Sequence, residues 1–271
     1  MKLNLSHSLA FLGCFSFQFQ AFSQDINLGP RFTSLGNMGA ALQDIWSLQS
    51  NQAGLAAIER PVAAIAYQSN YLDTEISTQT ALFAYPHKKN VFGISVQNYG
   101  VSVYKEQRMG LCYSKRFGST LFVAINANIH QLSILQYGSA HTYSIEAGLQ
   151  YKIGKQLLIG SHISNPGKNA FNSDVNASVP TAIQIGASYR CSDKVLLNSG
   201  LIKSLSTITD ARFGLEYKPG ESVALRGGIN ANPFRQFAGF GCKYKGLHVD
   251  VAASSHPNLG YSPQLALGYE F

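Results

Sequence analysis

A closed, fourteen-stranded antiparallel transmembrane β-barrel of the outer-membrane type, with a short N-terminal helical plug, is the fold class this sequence predicts. Three observations carry the prediction. A tyrosine closes every second apolar-alternating run: Tyr85, Tyr113, Tyr151, Tyr189, Tyr217, Tyr244 and Tyr269. Each of these runs but the last is followed by a tight, mostly basic turn, and eleven of the 21 basic residues lie there: Lys88, Lys89, Lys115, Arg116, Lys152, Lys155, Arg190, Lys194, Lys218, Lys243 and Lys245. Charged residues make up only 13% of the chain, against about 25% in an average soluble domain. A two-strand unit repeated every 25–40 residues or so, with a polar-tipped ring at one fixed height, suits a sheet that spans lipid and leaves no open edge in hydrocarbon.

Taken in order, residues 1–23 read as an export signal. Lys2 supplies the positive start, residues 9–15 a short apolar stretch, and Ala21 to Ser23 a small-x-small cleavage site. Cleavage ahead of Cys14 and lipidation there is the alternative, although Phe11 stands where a lipobox prefers leucine. No later stretch reaches the ~20 apolar residues of a membrane helix.

Residues 24–60 do not alternate and are expected to form the plug. Met38, Ala41, Leu42, Ile45 and Leu48 fall at helical spacing, with Ser34 placed as N-cap, which predicts an amphipathic helix over 38–48 that carries Trp46. A fourteen-stranded lumen is wider than wall side chains fill, because about eight strands already leave little more than packing space. An amphipathic segment ahead of the barrel suits that lumen. A periplasmic helix packed under the rim is the alternative.

Residues 61–271 form the barrel. Period-two alternation predicts strands over 61–68, 76–86, 90–98, 106–116, 119–131, 141–153, 155–164, 180–190, 194–204, 209–218, 221–231, 235–244, 246–255 and 263–271. In the tenth, Ala211, Phe213, Leu215 and Tyr217 alternate with Arg212, Gly214, Glu216 and Lys218. The tyrosine-bearing set is assigned to lipid. Gaps after odd strands (69–75, 99–105, 133–140 and 165–179) are longer than gaps after even strands, as expected of outer loops and periplasmic turns, and an even strand count returns both termini to the periplasm. Leu265, Leu267, Tyr269 and Phe271 alternate to a terminal aromatic, which resembles the signal read by the barrel-assembly machinery of Gram-negative bacteria.

The lumen-facing positions carry Arg108, Glu146, Arg190, Arg212, Glu216, Arg226, Asp250 and Glu270. Mixed signs suit a salt-linked wall that holds a plug, whereas an ion filter would carry one sign. His130, His162 and His248 also face the lumen by alternation, with His130 toward the outer end and His248 toward the periplasmic end, so a shared metal or triad is not expected. Cys112, Cys191 and Cys242 are odd in number and widely spaced, which is neither a disulfide framework nor a metal site; they read as small apolar wall residues. With no Gly-x-Ser-x-Gly, no phosphate-binding glycine loop and no metal-ligand spacing, neither an enzyme nor a cofactor is expected. The net charge of +7 is read as cations snorkelling toward anionic headgroups, which makes outer-membrane lipids the partner and not nucleic acid.

The stretch 29–44, with Arg31, Leu35, Gly36, Gly39, Ala40 and Asp44, followed by Asn51, Ala53, Gly54 and Leu55, resembles the N-terminal signature of the FadL-like superfamily, and most of all its PorV/PorQ branch. That signature has an arginine, Leu-Gly-x-x-Gly-Ala, acidic residues, and then Asn-Pro-Ala-Gly-Leu ahead of the first strand. Gln52 stands here for the proline, and Ile45 for the second acid after Asp44. The resemblance implies a plugged fourteen-stranded barrel acting in transport or secretion across the outer membrane, with secretion-system (type IX) subunits as partners. A passive channel for a small hydrophobic ligand, without a secretion partner, is the alternative. Physically, Gly36 and Gly39 suit close approach to the wall, and Gly54 a positive φ where the plug turns into the first strand. Arg31 and Asp44 are expected to pair with each other or with lumen charges.

Overall fold

The computed structural model describes residues 29–72, 74–171, 177–205 and 207–271. The expected export signal and the first plug residues, 24–28, lie outside them. The fourteen strands are β1 (Val62–Ser69), β2 (Ser77–His87), β3 (Asn90–Val101), β4 (Tyr104–Phe117), β5 (Leu121–Ile134), β6 (Gly138–Ile153), β7 (Leu157–Ser164), β8 (Ala182–Arg190), β9 (Val195–Ser204), β10 (Asp210–Tyr217), β11 (Val223–Ala231), β12 (Phe234–Tyr244), β13 (Leu247–His256) and β14 (Gly260–Glu270). Each pairs antiparallel with its chain neighbours, and β1 closes on β14 with Val62 opposite Glu270 and Gln68 opposite Gln264. No strand end departs from its expected position by more than three residues.

Closure follows from alternation. Ile125, Ile129, Ile145, Leu149, Ile185, Phe213 and Leu215 stand exposed on the outer wall, while Phe122, Asn126, Asn128, Glu146, Gln150 and Glu216 are buried on the lumen side. The seven tyrosines also point outward, between 39% and 65% exposed, on the end of the barrel that carries the turns after even strands. On β6 the outward apolar run extends from Tyr151 to Tyr143. Eight residues at about 3.3 Å each, on strands tilted about 40°, give a band about 20 Å tall.

The expected sorting of turn lengths is only partly present. Residues 99–105 and 133–140, expected as loops, are largely paired strand: β3 continues to Val101, β4 begins at Tyr104, β5 continues to Ile134 and β6 begins at Gly138. Outward residues there change from apolar to polar, Val96 to Asn98, Met109 to Gln107 and Ile129 to Gln131. Backbone pairing does not depend on that change, so the hairpins of β3 to β6 continue past the apolar band as sheet. Two long connections remain on this end, 70–76 and 165–181, and it is called the loop end below. The first residue of β1 and the last of β14 lie at the opposite, short-turn end.

Candidate functional site

From Pro30 to Ala57 the chain runs inside the barrel, and Phe32, Leu35, Met38, Leu48 and Leu55 are fully buried. It is not the single helix expected over 38–48. One α-helical turn, α1 (Pro30–Ser34), rests on β11 to β14, and two 3₁₀ turns follow at Ile45–Gln49 and Gln52–Ala57, the second against β3 to β6. Ser34, expected as an N-cap, is the last residue of α1; the cap that forms is Asp44, whose carboxylate accepts from the Trp46 amide at 2.8 Å. Apolar spacing misled here because the wall surrounds the segment, so residues on every side are buried and no one face is selected.

The wall also takes over the backbone bonding that a helix would have supplied internally. Asn198 donates to the Met38 carbonyl at 2.7 Å, and Gln150 donates to the Ala40 and Leu42 carbonyls, each at 3.0 Å. Asn51 donates to Ala40 at 2.6 Å, and also to the Leu149 and Ser161 carbonyls of β6 and β7 at 3.2 and 3.1 Å. Buried carbonyls left unpaired would cost about 1–3 kcal/mol each, so these amides define one seat for the plug.

Close approach is set by glycines. Gly36 turns the chain after α1 with φ +76°, a conformation L side chains rarely adopt. A Cβ on Gly214 would stand 2.6 Å from the Leu35 Cα, and one on Gly228 would collide with the Gly36 nitrogen. Gly93, Gly148, Gly160, Gly186, Gly200 and Gly239 likewise face plug atoms. Gly39 leaves no room for a Cβ beside Ser50 and Phe32. Gly54 does not take the expected positive φ; it lies in the second 3₁₀ turn, where a Cβ would collide with the Leu42 carbonyl.

Charge latches the same seat. Arg31 donates to Glu216 at 2.9 and 3.1 Å and to Asp44 at 2.8 Å. Arg226 bridges Glu216 at 2.7 Å and Asp250 at 2.5 Å, and the Lys218 ammonium lies 3.6 Å from Glu216. Burial opposes the Arg31 charge, but Glu216 and Asp44 outweigh it and hold the guanidinium more firmly protonated than usual. Burial likewise pushes the Asp44 carboxyl up, against the pull of Arg31. Arg212 bonds Asp210 at 2.7 Å and the Asn37 carbonyl at 2.6 Å. Across the lumen, Glu146 accepts from Asn128 at 2.9 Å and from Gln52, while Arg108 lies 4.0 Å from it and donates to Gln49.

Two expected lumen charges stand apart. Arg190 is exposed at the short-turn rim, because the lumen face of β8 opens to solvent there. Glu270 is half-buried near the same rim, 2.9 Å from Lys243 and 3.6 Å from His248. Cys112 is buried on the wall and Cys242 half-buried, whereas Cys191 is exposed in the turn between β8 and β9 and is no wall residue.

The plug separates two chambers. On the short-turn side a cavity of about 450 Å³ is lined by Arg31, Asp44, Trp46, Glu216, Arg226 and Asp250 among others. On the loop side a chamber of about 80 Å³ is lined by Gln49, Gln97, Arg108, His130, Glu146, His162 and Gln184, with Phe171, Val179 and Pro180 from the 165–181 connection. His130 and His162 thus share a chamber, while His248 borders the other. Sequence reasoning missed Gln150, Asn198 and the wall glycines. A signal for the last was present, since Gly186, Gly200, Gly214 and Gly228 recur every fourteen residues on the lumen face.

No family model and no curated relative matches this chain. Solved structures do. The P. putida toluene transporter TodX matches at TM-score 0.73 and 11% identity, covering 90% of this chain and 99% of that one. The Ralstonia pickettii toluene transporter TbuX matches at 0.71 and 13%, covering 90% and 98%. A Pseudomonas aeruginosa FadL homologue matches at 0.62 and 12%, covering 88% and 96%. At such identities the likeness is one of fold alone, that of a closed antiparallel barrel.

Proposed function

We propose that this chain is an outer-membrane barrel, both termini periplasmic, that passes small solutes across the membrane around a plug held shut by the Arg31 latch. The observation that carries this reading is the plug itself: it fills the lumen between two chambers, yet it is seated by hydrogen bonds and ion pairs that can exchange for water. The FadL-like fold supports transport as the general activity and a non-enzymatic role. The toluene named for TodX and TbuX is a poor cargo here, because ten of the sixteen residues that line the loop-side chamber carry amide, imidazole or charged groups. Proteoliposomes holding the full chain should swell faster in arabinose than empty ones and should exclude raffinose. Swelling no faster than empty vesicles would overturn the transport reading.

A second reading, a non-transporting PorV/PorQ-like partner in secretion, is favoured by the loop end. Leu72, Val103, Leu135, Tyr137, Leu205, Ile208 and Leu259, all more than half exposed, place an apolar side chain on five of its connections, a surface suited to protein contact. The N-terminal signature supports the same branch. Recovery of secretion-system subunits with the barrel from outer membranes, and loss of surface secretion on deletion, would favour it. Recovery of the barrel alone with secretion intact would dismiss it.

A further inference from the structure

We propose that the loop-side chamber is a binding site for a small, neutral solute rich in hydrogen-bonding groups, of about the size of glycerol. The inference deepens the transport reading and rests on it for the solute's route, though not for binding itself.

Size bounds the ligand first. A single water needs about 10–15 Å³ of such space, so about 80 Å³ admits a solute of about half a dozen heavy atoms. Charge bounds it next. Of the two carboxylates that line the chamber, Glu146 faces Arg108 at 4.0 Å and accepts from Asn128 and Gln52, and Glu106 accepts from the Tyr104 hydroxyl, so each is already answered within the protein and a neutral solute is preferred.

The decisive observation is a set of buried polar atoms without protein partners among the described residues: Gln49 Nε2, Gln184 Oε1 and both ring nitrogens of His162. These side chains belong to residues only 6%, 5% and 5% exposed, and all three line the chamber. Arg108 donates to Gln49 Oε1, which fixes that amide and leaves its NH₂ as a free donor. Gln184 offers an acceptor. His162 Nε2 lies 3.4 Å from Glu146 Oε2 without a hydrogen bond to it, so the ring offers a nitrogen as donor or acceptor. A hydroxyl or primary amide both donates and accepts, so it suits a set that holds donors and acceptors together. A hydrocarbon answers none of them and leaves each buried and unpaired, which is how a polar site rejects apolar ligands.

Saturation-transfer NMR of the full chain in detergent, with glycerol as probe, tests this. Glycerol should give a signal well above that of empty micelles. Loss of one partner in Gln184→Leu or His162→Leu should reduce it about threefold or more, in variants whose heat-modifiable gel shift shows an assembled barrel. On the unaltered protein, urea should displace glycerol and toluene should not, an arm that needs no variant. A glycerol signal equal to that of empty micelles, or unchanged in both assembled variants, or displaced by toluene as readily as by urea, would overturn the proposal. Absent glycerol binding with arabinose swelling intact would refute the chamber alone. Binding without swelling would refute transport alone.

Discussion

Replacing Arg31 by methionine keeps most of the side chain's length and removes the latch's charge. Three charge-assisted hydrogen bonds at 2.8–3.1 Å are lost. The two carboxylates fare differently. Glu216 retains Arg226 at 2.7 Å and Lys218 at 3.6 Å, whereas Asp44 retains no cation and only backbone amides of the turn it caps. The loss is therefore smaller than that of a lone buried pair and falls mainly on Asp44. About 2–4 kcal/mol of plug docking is expected to go, which raises the undocked fraction about 30- to 1000-fold. The strand ladder is untouched, so the barrel should assemble as before. Single-channel recordings should show openings more frequent by that order, and Trp46, 4% exposed in the docked plug, should become accessible to acrylamide. Arg31→Met with Asp44→Asn should recover part of the loss, because no unpaired carboxylate remains. Openings and quenching equal to those of the parent, in an assembled barrel, would refute the latch.

Two further outcomes follow from the same geometry. Gly228→Val places a side chain where the Gly36 backbone sits and should undock the plug with strands intact, whereas Gly118→Ala, in an open turn at φ +62° with nothing within 4 Å of its Cβ, should cost only about 1–2 kcal/mol of stability and leave conductance unchanged; equal conductance for the two would refute close packing as the glycine's role. With the native cysteines replaced, Tyr137→Cys, 88% exposed at the loop end, should react with an impermeant maleimide on intact cells while Gly220→Cys in the short-turn set should not, and the reverse pattern would invert the assigned orientation.

The barrel was legible because lipid and lumen act on alternate residues of every strand, so each of the fourteen leaves its own period-two record; Ile183, Ile185 and Tyr189 against Gln184 and Ser188 show it plainly. The extended hairpins of β3 to β6 were not, because polarity at Asn98, Gln107 and Gln131 marks exit from lipid and not the end of pairing. Arg31, Asp44, Glu216, Arg226 and Asp250 were identifiable as charges facing a lumen, and the structure joins them into one network. Arg190 was misplaced because alternation assigns a face but not a height. The plug's conformation was illegible for a different reason. Its carbonyls are answered by Gln150 and Asn198, far away in sequence, and no local rule reports such partners.

Single-channel conductance of the chain lacking residues 30–50, in planar bilayers, tests the central claim most directly. The barrel's hydrogen bonds run from strand to strand and do not depend on this segment, so the shortened chain should assemble and conduct steadily, far above the full chain in the same bilayer. Equal conductance for the two assembled proteins would contradict the account, since the segment seated by Arg31, Asn51, Gln150 and Asn198 would then not be what closes the lumen.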